Sequence, residues 1–150
     1  MLFLQSHVNR IVKVPKSYFW KRLRAFDKIQ TLLPKTIKEV KIPDNFSNSP
    51  GDVRYVYLEK VYQGEVIERL DGLIEEKYMT YSVIDKSCLP VSNYVACVNL
   101  KDFSLTETAV SWCGHFVGDG KTEDEIVDLL EALYNLILNN IEDQYKKSQS

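Results

Sequence analysis

The stretch KTEDEIVDLLEALYNLILNNIEDQYKK, residues 121–147, decides how the rest of the chain is read. Ile126, Leu129, Leu130, Leu133, Leu136, Ile137 and Ile141 recur at spacings of three and four, which predicts one long amphipathic helix with a broad apolar stripe. Asp124, Asp128, Glu131, Asn135 and Asn139 fall largely off that stripe. Thr122-Glu123-Asp124-Glu125 has the form of a capping box: the Thr122 hydroxyl accepts from the Glu125 amide, and the Glu125 carboxylate reaches back to the Thr122 amide. Acids at its start and Lys146 and Lys147 at its end suit the helix dipole. So long a stripe needs a large apolar surface to lie on, and only a sheet built by the preceding residues can supply one. The expectation is one helix gripped by a curved sheet, with a cavity left between them.

Those preceding residues read as strands with one helical interruption. Leu4, Val8, Val12 and Val14 share a parity that Arg10 breaks, a first strand within 2–14. Pro15 suits the first position of a short helix carrying Phe19, Trp20, Leu23 and Phe26. Asp27 is expected to cap a second short helix through Leu33, which Pro34 ends. Strands follow at 36–42, 53–58, 65–71 and 79–84, then around Tyr94 to Leu100 and Val110 to Phe116. The Asn-, Ser- and Pro-rich segment 43–51 and residues 86–90 are loops, and Gly118-Asp119-Gly120 turns into the last helix. The segment 59–64, with Val61 and Tyr62, reads either as a lid or as the end of a longer hairpin. Strand, two helices, six strands and helix, joined by short loops, predict a single α+β domain with an antiparallel meander.

Composition narrows the function. The 150 residues can bury roughly two-thirds of the unfolded surface, enough for one self-sufficient core. A net charge of -2 offers no whole-chain attraction for nucleic acid. Cys88, Cys97 and Cys113 have no C-x-x-C spacing, so neither a disulfide framework nor a zinc site is expected, and no cofactor is implied. The opening Met-Leu-Phe-Leu is too short for a signal-peptide core, and no run approaches the ~20 apolar residues of a membrane span. A cytoplasmic protein without integral membrane association is the expectation. Nine Tyr and six Phe favour strands and can line ligand pockets or simply fill a core.

Glu68 is the sharpest single residue, because Val66 and Leu70 share its parity and put a carboxylate on an apolar face. There it needs a cation or donors, which Lys38 or Arg54 can supply. It is either a polar anchor or general acid/base in a cavity, or half of a structural ion pair. Tyr81 and Tyr94 each offer a hydroxyl from an otherwise apolar wall, and Trp112 forms core or pocket wall. His7 and His115 fall on outward faces with no partner cluster, so no metal is expected. Cys113 and His115 share a strand face, a weak arrangement for nucleophilic catalysis. Phosphate binding at Gly118-Asp119-Gly120 is opposed by Glu123, Asp124 and Glu125.

Gly51-Asp-Val-Arg-Tyr, Gly64-Glu-Val-Ile-Glu-Arg-Leu-Asp71, Tyr81-Ser-Val-Ile84, Asn93-Tyr94 and the Trp112/Phe116 strand, in this order of elements, resemble the helix-grip (START-like, SRPBCC) superfamily. That superfamily includes START lipid-transfer domains, pollen-allergen-like proteins, bacterial polyketide cyclase/dehydrase-like proteins and plant abscisic-acid receptors. The similarity of architecture spans essentially the whole chain and is nearest to the cyclase-like proteins in length and in Trp112. The resemblance implies a seven-stranded antiparallel sheet around the C-terminal helix, with two short helices between strands one and two. It also implies a pocket faced by Val56, Leu58, Glu68, Tyr81, Val83, Tyr94 and Ala96, closed by Leu133 and Ile137. Lys38 sits near the receptors' ligand-binding lysine, across a one-residue gap. The receptors' Ser-Gly-Leu-Pro gate is absent from 59–64, so hormone sensing through that loop is not implied. The expected partner is an apolar or amphipathic small molecule; a cyclase/dehydrase-like enzyme and an interaction domain using loops 59–64 and 86–90 are the alternatives.

Overall fold

A computed structural model describes residues 3–60, 62–118 and 123–150. The Thr122 capping box, Asp119-Gly120 and Val61 lie outside the described residues. The elements run β1 (Phe3–Val12), α1 (Lys16–Arg24), a 3₁₀ helix (Phe26–Thr31), β2 (Ile37–Lys41), β3 (Val53–Leu58), β4 (Gly64–Ile74), β5 (Tyr78–Ile84), β6 (Val91–Asp102), β7 (Thr108–Gly118) and α2 (Glu123–Ser148). Their strands form one open sheet in the order β1-β7-β6-β5-β4-β3-β2, antiparallel throughout. Each strand from β2 to β7 pairs with the next, as short connections favour, and β1 returns to the far edge beside β7. The result is α+β: a seven-stranded antiparallel sheet with a long C-terminal helix, the helix-grip arrangement.

Alternation builds the inner face. On β1, Val8 and Val12 are buried while His7, Asn9 and Ile11 are exposed; on β7, Val110, Trp112, Gly114 and Phe116 point inward. One inner row crosses five strands in register: Leu70, Tyr81, Ala96, Gly114 and Ser6. Its last three members are small, so the sheet carries a trough toward the β1 edge, and α2 comes close there. The Ser6 hydroxyl donates to the Val127 carbonyl of α2 at 3.0 Å, and the Tyr134 hydroxyl occupies the space that a Cβ on Gly114 would need.

β1 is an edge strand, whose outward amides need partners. Helix α2 supplies them: the His7 amide donates to Glu131 at 2.8 Å and the Lys13 amide, just past the strand, to Glu142 at 2.8 Å. Arg10, the polar break in the strand, donates to Asn135 (3.2 Å), Asn139 (2.6 Å) and Glu142 (2.5 Å). The residues off the predicted stripe therefore clasp the helix to the sheet edge. At the other side of the helix the Asn140 amide donates to the Leu32 carbonyl at 2.7 Å and that of Gln144 to the Thr31 carbonyl at 2.8 Å.

Several local expectations are corrected. Pro15 is the N-cap of α1 rather than its first helical residue, because its ψ of 144° is extended. Asp27 lies inside the 3₁₀ helix and caps nothing; Ala25 opens that turn, and the Phe26 amide is taken by the Asn48 side chain at 3.1 Å. On α2 the buried residues are Ile126, Leu130, Tyr134, Ile137, Leu138 and Ile141, so Tyr134 and Leu138 join the stripe and Leu136 leaves it at 37% exposure. At about 100° per residue, Leu136 lies roughly 140° around the helix from the centre of the buried set.

Candidate functional site

Between the inner sheet face, α2 and the two short helices lies a cavity of about 80 Å³. Its walls are mostly aliphatic: Val56, Leu58 and Val66 from β3 and β4, Met79 and Val83 from β5, Leu130, Leu133 and Ile137 from α2, and Leu23, Ile29 and Leu33 from the short helices and the turn after them. Leu58, Val83, Leu89 and Leu133 are half-buried while Val56, Met79 and Ile137 are buried, so the cavity grades outward along one side.

Two charges interrupt this lining. Arg54 and Glu68 stand directly opposite each other on β3 and β4. Glu68 Oε1 accepts from Arg54 Nε at 2.9 Å and forms an ion pair with Nη2 at 2.8 Å. Arg54 Nη1 donates to the Phe26 carbonyl at 2.8 Å, and its guanidinium carbon lies 3.7 Å from the Phe26 ring centre and 5.6 Å from that of Tyr81. With the Arg54 side chain only 4% exposed and that of Glu68 15%, the pair is largely desolvated and each charge depends on the other. The guanidinium is well satisfied. Glu68 Oε2 receives no hydrogen bond among the described residues.

Three phenols and an indole complete the polar set. The Trp112 indole N–H donates to the Tyr81 hydroxyl at 3.3 Å, and the hydroxyls of Tyr94 and Tyr134 hydrogen-bond each other. Trp112 stacks on Tyr134 with ring centres 5.0 Å apart and planes 14° from parallel. Burial pushes the phenols of Tyr81, Tyr94 and Tyr134 well above the usual tyrosine range, and the nearby Glu68 charge pushes each further. Near neutrality all three are uncharged, able to donate and accept hydrogen bonds but unavailable as phenolate bases.

Of the residues singled out in the sequence, Val56, Leu58, Glu68, Tyr81, Val83, Tyr94, Trp112, Leu133 and Ile137 all stand on this one cavity wall. Lys38 does not. It is the unpaired extra residue of a β-bulge, since Ile37 pairs with Leu58 and Glu39 with Tyr57, which leaves Lys38 no partner on β3. Its side chain is exposed and its carbonyl accepts from Gln30 Nε2 at 2.9 Å, so the cation facing Glu68 is Arg54. Ala96 is also off the wall: fully buried, it is a methyl in the inner row between Tyr81 and Gly114. Tyr134, Leu130 and Met79 line the cavity without having been anticipated. The spacing 126, 130, 134, 137, 141 was a usable signal for Tyr134, once tyrosine is allowed as an apolar stripe member.

On the outer face His7, Cys113 and Cys97 stand opposite one another on the neighbouring strands β1, β7 and β6. His7 and His115 are exposed; the His7 ring meets the Ser111 hydroxyl at 3.4 Å, and the Cys113 thiol accepts from Gln5 Nε2 at 3.0 Å. Among the described residues no three His, Cys, Asp or Glu groups are placed to hold a metal ion, and no helix is long and apolar enough to cross a membrane.

No protein-family profile matches the chain, and no curated protein matches it either. Solved structures do. One is an uncharacterized protein from Bacillus thuringiensis, 21% identical, covering 95% of this chain and 98% of its own, with a TM-score of 0.77. Another is the protein XoxI from Bacillus cereus, 20% identical, covering 97% of this chain and 98% of its own, with a TM-score of 0.80. Such likenesses establish the fold: an antiparallel sheet with a long C-terminal helix, shared nearly end to end.

Proposed function

We propose that the protein binds an apolar or amphipathic small molecule, such as a lipid, a polyketide or an aromatic compound, in the cavity between sheet and α2, which widens at its half-buried Leu58, Val83, Leu89 and Leu133 side to admit the guest, and thereby sequesters or carries it. One observation carries this reading. The cavity is aliphatic, yet its wall holds a largely buried ion pair and three neutral phenols, an expensive arrangement for a site meant only to be packed. Apolar lining supplies affinity through area removed from water, and a few converging polar groups orient the guest. The resemblance to the START-like helix-grip superfamily supports the same reading. Enzymatic use of the cavity in the manner of a cyclase/dehydrase has weaker support, because the phenols are held neutral and one Glu68 oxygen is engaged by Arg54.

A thermal-shift screen of lipids, polyketides and aromatics, followed by native mass spectrometry of the hits, tests the proposal. The expected outcome is a stabilising compound retained as a one-to-one adduct and lost when Ile137→Trp fills the cavity. If nothing in the screen stabilises the protein or forms an adduct, the proposal fails.

A further inference from the structure

From the charge balance and the open hydrogen-bonding positions of the cavity wall, we infer that the guest carries a neutral hydroxyl head rather than a carboxylate, with the Glu68 Oε2 atom as acceptor for its proton. This inference rests on the binding role proposed above and names the class of ligand.

Charge comes first. Arg54 and Glu68 cancel, so the wall presents no net charge to a guest. The guanidinium, the obvious receptor for an acid, is committed to Glu68 and the Phe26 carbonyl and is bracketed by two aromatic rings. A ligand carboxylate would have to displace Glu68 or lie beside it in a poorly solvated place, where like charges repel strongly. Hydrogen-bonding capacity points the same way. Glu68 Oε2 is an acceptor with no donor among the described residues. The Tyr81 hydroxyl uses a lone pair for the Trp112 indole, which leaves its proton free of that bond. Of the two protons on the bonded pair Tyr94 and Tyr134, only one is consumed between them. The wall therefore offers one anionic acceptor and neutral phenolic donors. An alcohol or phenol satisfies both at once, donating to Glu68 and accepting from a tyrosine. A carboxylate satisfies only the second, and a hydrocarbon neither.

Three probes of matched shape separate these cases by isothermal titration near neutral pH: 4-butylphenol, butylbenzene and 4-butylbenzoate. The expected result is that 4-butylphenol binds about tenfold tighter than either of the others, the factor appropriate to one hydrogen bond to a charged group. In Glu68→Gln the wall becomes cationic, and 4-butylbenzoate should then overtake 4-butylphenol. Should that variant fail to fold, Arg54→Met combined with Glu68→Met replaces the pair by apolar groups of similar length, and the advantage of 4-butylphenol over butylbenzene should vanish. Benzoate binding as tightly as the phenol to the unaltered protein overturns the inference while leaving a binding role intact. Equal binding of all three does the same. No binding by any of them overturns it as well, and the broader screen then decides separately whether the cavity takes a guest at all.

Discussion

Gly114 and Tyr134 meet where the helix comes closest to the sheet. A Cβ at position 114 would run into the Tyr134 hydroxyl and lie 3.1 Å from the Tyr94 ring and hydroxyl, groups held by the stack of Tyr134 on Trp112 and the tilted contact of Tyr94 with Phe116. Gly114→Ala is expected to cost about 1–3 kcal/mol by overpacking, measured by urea unfolding, and Tyr134→Phe should recover part of that loss by removing the colliding oxygen. Additive costs of the two substitutions would contradict the contact. The phenols give a second prediction at this scale. Tyr81, Tyr94 and Tyr134 ionise at higher pH folded than unfolded, so above about pH 10 the unfolded chain releases protons that the folded chain keeps. Their contribution to stability is complete below that pH and is lost as pH rises past it. An ultraviolet titration should show three of the nine tyrosines ionising only with alkaline unfolding; all nine titrating before unfolding would refute it. Glu68→Gln strands a buried guanidinium and is expected to destabilise by about 3 kcal/mol, read from the shift in denaturation midpoint. At this scale parity alone located Glu68 and the aromatic wall, because a strand puts alternate residues on opposite faces. It left the inward face of β2 open, and Lys38, brought to the pocket by the resemblance alone, falls outside it because a bulge depends on which residue of the neighbouring strand is skipped, and that is not written in the strand's own pattern.

Among the elements, α2 is held less by its apolar stripe alone than the spacing of leucines suggests. Glu131 and Glu142 take amides of the β1 edge region, and Arg10 gathers Asn135, Asn139 and Glu142. Arg10→Ala should lower stability by about 1–2 kcal/mol and raise amide hydrogen exchange in the last turns of α2 well before the central strands. Uniform exchange behaviour in the variant would show that the clasp is incidental. The helix itself was readable from period and terminal charges, as were β3 to its last residue and the loops around 43–51 and 86–90. Its buried face was shifted because leucine was weighted above tyrosine: Tyr134 is nearly fully buried with its hydroxyl paired to Tyr94, while Leu136 faces outward. Bulges at Lys38, at Asp71 and at Asn93, where φ is 54°, likewise emerge only when two strands are laid side by side.

In the whole molecule, the row Ala96, Gly114, Ser6 draws the helix down toward β1, whereas the other half of the sheet keeps larger groups and Arg54 opposite Glu68. Close contact on one side and a gap on the other make the cavity, so its position follows from where the small residues are. The sheet and helix were foreseeable from periodicity, and Arg54 was one of two candidate cations for Glu68; the rest of the cavity's polar geometry was not foreseeable, because it depends on Tyr134 and Phe26, which come from separate elements. That a guest occupies this gap is the claim on which function turns. The direct measurement is isotope-filtered NMR on methyl-labelled protein saturated with the most stabilising compound of the thermal-shift screen. Cross-peaks from the ligand to the methyls of Val56, Met79, Leu133 and Ile137 are the predicted result. Ligand cross-peaks confined to surface methyls such as those of Ile11 or Leu105, or none at saturation, would contradict it.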